Sequence, residues 1–96
     1  MNRRAHFKFR LYVASHADNS AKAIANLAAL CREYLADRYE IEIVDVYKDP
    51  MRALADGVLM TPTLIRVSPL PTRRIVGTLS QTQLVLDALG LEPAAA

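Results

Sequence analysis

One cysteine, Cys31, stands in the whole chain of 96 residues. No internal disulfide, CxxC redox pair or cysteine-rich zinc site can form from it. No apolar stretch approaches the ~20 residues that a bilayer span needs. The N-terminal region has no signal-peptide apolar core either, because "FKFRLYVAS" alternates with charge. A soluble, cytoplasmic protein with no membrane partner is the expectation. Long basic runs are missing too: the formal net charge is +2 and only "MNRR" and Arg73–Arg74 bring cations close together. Phosphate-backbone affinity grows with the number of neutralised charges, so the composition argues against nucleic acid as a partner.

What is present is ordinary globular composition, 52% hydrophobic and 23% charged residues, without an internal repeat or low-complexity linker. The expectation is one domain over residues 1–96, with its core from about 7 to 91 and a frayed tail at 92–96. A chain this short buries only about two-thirds of its unfolded surface, which leaves self-assembly open.

The elements follow from periodicity. Phe7, Phe9, Leu11 and Val13 alternate with Lys8, Arg10 and Tyr12, the period of a strand. "HADNS" offers capping residues before a helix whose stripe is Ile24, Leu27, Ala28, Cys31, Tyr34 and Leu35. "YEIEIVDVY" is rich in β-branched residues and reads as a second strand. Two strands joined by a helix imply a right-handed βαβ unit. Asp49 before Pro50 opens a short helix with Met51, Leu54 and Ala55 inward and Gly57 at its end. "TLIRVS" and "TRRIVGTL" make two strands joined by the turn "PLP", a link short enough to impose antiparallel pairing. Ser80 and Gln83 fit a capping box before a closing helix with Leu84, Val85, Ala88 and Leu89 buried and Gly90 at its end. The order β-α-β-α-β-β-α with a mixed four-stranded sheet is the thioredoxin-like arrangement.

Thioredoxin-like enzymes carry a reactive CxxC after the first strand, where the helix N-terminus lowers a thiolate's pKa. This chain has "ASHADNS" there, and Cys31 falls three turns later on the apolar stripe, as a small buried hydrophobe. His6 and His16 fall at opposite ends of the first strand and share no metal. Asp18 and Ser20 lack a histidine partner and read as helix caps, and Asp45, the odd polar residue of the second strand, reads as a cap of a neighbouring loop or helix. No catalytic, cofactor or metal residue emerges.

"LYVAS…NS", "YEIEIVDVYKDP", "TPTLIRV" and "PLPTRRIVGTLS", in that order and spacing, resemble the KaiB family over about residues 7–89. The resemblance implies a non-enzymatic, cofactor-free regulator that docks on a KaiC-type ATPase ring in a clock, timer or stress-response system. It also implies a metamorphic chain, whose alternative to the thioredoxin-like state is a KaiB ground-state fold in dimers or tetramers. The KaiC-type contact is expected around Lys22, Lys48, Asp49 and Arg74. Cyanobacterial members commonly carry lysine where this chain has Glu42, on an edge that captures KaiA, so KaiA binding is doubtful here. They also carry glycine and aspartate where this chain has Ala88 and Gly90. Alanine for glycine favours a helix by roughly 1 kcal/mol, so Ala88 and Gly90 are expected to tilt the balance towards the thioredoxin-like state. Pro62 is expected to be cis in that state. Two other readings stand beside this one: a thioredoxin-like oxidoreductase or glutathione-binding protein receiving its ligand at Thr61–Pro62, and a stand-alone SasA-like sensor domain.

Overall fold

The computed structural model describes residues 5–91, so the expected frayed tail lies outside the described residues. The elements are β1 (Phe7–Val13), α1 (Asp18–Leu35), β2 (Tyr39–Asp45), α2 (Pro50–Ala55), β3 (Thr63–Ser68), β4 (Arg73–Val76) and α3 (Thr82–Leu89). The sheet runs β2-β1-β3-β4, with β1 and β2 parallel from Phe7↔Tyr39 to Val13↔Asp45 and the other two pairs antiparallel. This is the thioredoxin-like fold that the periodicity implies. Both edges are short, seven residues of β2 and four of β4.

Strand alternation divides the sheet into two unequal faces. Phe7, Phe9, Leu11 and Leu64 pack with the stripes of α1 and α3 into the main core, which includes Leu27, Cys31, Leu86 and Leu89. Tyr12, Val44 and Ile65 point the other way and meet only Ala53 of α2 among buried residues. Each fully buried leucine of the larger core contributes about 1.5–3 kcal/mol, so α1 and α3 are held mainly by apolar burial. α2 itself adds only Ala53 to the smaller core, beside the half-buried Val46, Val58 and Val67.

Local expectations are corrected at the helix ends and faces. Met51, Leu54 and Ala55 are exposed and Ala53 is buried instead, because the helix is a turn and a half long and rests on the sheet by one side only. Leu84 is likewise exposed while Leu86 is buried, and Ala88 is half-buried: α3 starts at Thr82, which rotates the inward stripe to Val85, Leu86 and Leu89. The capping box does not form. Thr78 donates to the Ser80 hydroxyl at 3.1 Å, Gln83 donates to Asp87 at 3.0 Å, and Gln81 occupies the cap position without a side-chain bond. Asp18 and Ser20 do not cap α1 either. Ser20 lies on the buried stripe, where its hydroxyl accepts the Ala14 N–H at 3.0 Å.

Cys31 is fully buried, and burial pushes its thiol pKa up to about 12. The thiolate is the nucleophile, so native protein should resist alkylation and label only on unfolding. Stoichiometric labelling by iodoacetamide at the same rate with and without denaturant would contradict this.

Candidate docking surface

The residues expected at a partner contact are distributed around α2. Lys48 and Asp49 lie in the turn between β2 and α2, where they line an open depression of about 470 Å³ with Ile24, Ile43, Asp45 and Arg52. Asp45 organises that turn: its carboxylate accepts the Ser15 hydroxyl at 2.8 Å and the Tyr47 N–H at 2.9 Å. These bonds, the Ser15 hydroxyl first, lower its pKa. Its expected role as a loop cap is what the geometry gives.

Arg74 stands on the opposite side of α2, on β4. Its guanidinium donates to the carbonyls of Asp56 and Gly57, the latter at 3.3 Å, just past the C-terminus of α2. A second depression of about 350 Å³ lies there, lined by Arg10, Asp56, Val67, Thr72 and Arg74 among others. Lys22 is exposed near the start of α1 and lines neither depression. The structure therefore separates the four charges into Lys48 with Asp49, Arg74, and Lys22.

Between Lys48 and Arg74 in sequence, α2 and the loop after it carry several exposed apolar side chains. Met51 and Leu54 of α2 are 71% and 69% exposed, and Leu59 and Met60 in the following loop are 92% and 64% exposed. Tyr47, just before α2, is exposed as well. Concentrated apolar exposure of this kind, edged with charge, marks interaction surfaces. The loop ends at Thr61–Pro62, a cis bond like Ser68–Pro69 and Leu70–Pro71, and Pro62 is buried with its carbonyl accepting the Gly77 N–H at 2.9 Å.

Glu42 is not the free charge on an edge strand that the sequence suggests. Arg52 reaches it with two nitrogens, at 2.6 and 2.9 Å, and Arg10 donates to it from Nε at 3.0 Å. Arg52 and then Arg10 hold its carboxyl down at about 2. A depressed carboxyl contributes its stability above its ordinary pKa and loses it as pH falls through the folded value. The clasp is therefore complete at neutral pH and opens only in the window between about 4.5 and about 2.

His6 sits 3.5 Å from Glu40 and His16 lies beyond the far end of β1, so the two share no site. Among the described residues no three His, Cys, Asp or Glu side chains converge as metal ligands, and no helix is long and apolar enough to cross a membrane.

Sequence and structure comparisons identify the family and the fold. The model of the KaiB domain matches residues 10–91. The chain is 43% identical over 84 residues to circadian clock protein KaiB3 of Synechocystis, covering 88% of this chain and 82% of that protein. It is 40% identical over 91 residues to the circadian clock oscillator protein KaiB of Synechococcus elongatus, covering 95% and 89%. Among solved structures, the N-terminal domain of Synechococcus elongatus SasA superposes with a TM-score of 0.73 at 15% identity, covering 86% of this chain and 79% of that one. Fasciola hepatica thioredoxin gives 0.71 at 18% identity, covering 95% and 86%. The last two establish the fold alone. With a family match from Arg10 to Leu91 and relatives at about 40% identity over most of both chains, this chain belongs to the KaiB family.

Proposed function

We propose that this chain is a non-enzymatic regulator that docks on a KaiC-type ATPase ring, with α2 and the loop after it as the contact. The observation that carries the reading is the outward display of Met51, Leu54, Leu59 and Met60 between the charged flanks Lys48–Asp49 and Arg74. Apolar side chains at the centre of a contact supply most of its affinity, and rim charges set register and encounter rate. Relatives named as circadian clock proteins favour a regulatory role over a catalytic one. The buried, high-pKa Cys31 disfavours a thiol-based oxidoreductase. A SasA-like sensor domain shares the fold, but the family match favours the KaiB-type role.

The test is capture by a purified KaiC-type hexamer. Met51→Asp places a charge in the contact without touching the core, since Met51 is exposed. Affinity should fall at least about tenfold with unchanged stability, the scale of a central contact residue. Undiminished capture by Met51→Asp would remove α2 from the contact.

A further inference from the structure

We infer that α2 is held on the sheet by a polar tether instead of an apolar one, with Glu42 as the residue that positions the docking face.

α2 is a helix of six residues. Six residues are too few for an isolated helix to persist in water, so its place depends on what holds it. Its only buried residue is Ala53, and its larger apolar side chains, Met51 and Leu54, face solvent. The attachments that remain are mostly polar, and they come from three strands. From β2, Glu42 clasps Arg52 through both carboxylate oxygens. From β1, Tyr12 donates to the Arg52 carbonyl at 3.1 Å and to the Asp56 carboxylate, which Arg10 also contacts at 3.0 Å. From β4, Arg74 holds the carbonyls of Asp56 and Gly57. Arg10 joins the first two sets by donating to Glu42 as well as to Asp56.

An apolar helix face seeks the sheet, and Met51 and Leu54 on a freely turning α2 would be drawn towards Tyr12, Val44 and Ile65. The clasp at Arg52 fixes the rotation of the helix, because Arg52 lies between those two residues in sequence and is drawn to the β2 side. Glu42 thereby keeps the apolar side outward. The same bonds explain how an acidic residue on an edge strand is neutralised within the chain. They also make the attachment sensitive to ions: the pairs are partly exposed, with side-chain exposures of 38% for Glu42 and Arg52, and pairs of that kind weaken in salt.

The inference rests on the docking role of α2 only for its functional consequence, and the experiment separates the two. Amide exchange in the free protein reports the tether, through the Asp56 and Gly57 amides that close α2. Glu42→Gln keeps the shape and removes the charge. Exchange at those amides should accelerate about tenfold, with β1, β3 and α3 unchanged, and 0.5 M NaCl should accelerate the parent protein more than the variant. Capture by a KaiC-type hexamer should weaken several-fold in parallel. Unaltered exchange in Glu42→Gln, or equal salt sensitivity of parent and variant, would overturn the tether. Accelerated exchange with undiminished capture would leave the tether standing and overturn the docking role of α2.

Discussion

Arg66→Ala is expected to cost about 3 kcal/mol of folding stability, seen as a lower urea midpoint. Arg66 occupies the middle of β3 and is only 5% exposed. It shares a sheet face with Leu64, the face that α1 and α3 cover, and so its guanidinium reaches the end of α3. Nη1 donates to the Leu89 carbonyl and Nη2 to the Pro71 carbonyl at 2.7 Å. One side chain thus joins the C-terminus of α3 to the turn between β3 and β4. Two opposing effects decide the sign. Burial, and after it the nearby Arg73, lowers the Arg66 pKa, and Nε is buried without a partner, so holding the charge here is costly. Against that stand two bonds from a charged donor, about 1.5–3 kcal/mol each, one of them at the negative end of a helix. Alanine removes both bonds, leaves two carbonyls unpaired and opens a cavity, and the three losses act in the same direction. Arg66→Met restores the packing without the charge and should recover part of the loss. A midpoint for Arg66→Ala equal to that of the parent would show that burial of the charge cancels its bonds.

Arg66 also illustrates what the sequence does and does not disclose. Neither its burial nor its partners emerge from the sequence, since Leu89 and Pro71 are brought to it only by the folded topology. The strands were legible because period-two alternation in β1 and β-branched density in β2 are local properties that tertiary packing reinforces. The stripe of α1 is legible in part: Leu27, Cys31 and Leu35 are buried as the spacing implies, while Ile24, Ala28 and Tyr34 are half-buried at its margin and Ala23 and Leu30 complete the buried side. In α2 and α3 the elements have six and eight residues, and a stripe that short is set by where the helix starts, which turns Met51, Leu54 and Leu84 outward against the periodicity. Of the proposed docking surface, Lys48, Asp49 and Arg74 can be named from the family blocks, whereas the exposure of Met51 and Leu54 cannot, since the polar contacts around α2 join residues 10 to 46 positions apart. Glu42 stands out in sequence by its charge alone, because its two arginine partners lie 32 positions before and 10 positions after it.

Gly90→Val should destabilise the fold by about 2–3 kcal/mol, and half or more of that should come from the backbone alone. Gly90 ends α3 at φ +72, in the left-handed region, where its N–H donates to the Asp87 carbonyl at 3.2 Å. The Leu91 N–H then reaches back to the Leu86 carbonyl at 2.8 Å, and both leucines are buried in the main core. This is a Schellman closure, in which the left-handed residue turns the chain so that the apolar residue after it returns to the core. Any side chain there meets backbone strain of about 1–2 kcal/mol, and a β-branched one meets more. Space adds a second penalty, because a Cβ at Gly90 would come within 3.0 Å of Arg66 Nη1. A free arginine tip would swing aside, but this one is fixed by the Leu89 and Pro71 carbonyls. The two contributions separate in a double-mutant cycle with Arg66→Ala. Removing the guanidinium leaves the strain of valine and deletes the clash, so the double variant should be less destabilised than the sum of the single ones by at least about 0.5 kcal/mol, a coupling typical of residues in contact. An additive cycle would show that valine is opposed by the backbone only, and that the Arg66 fork yields without loss.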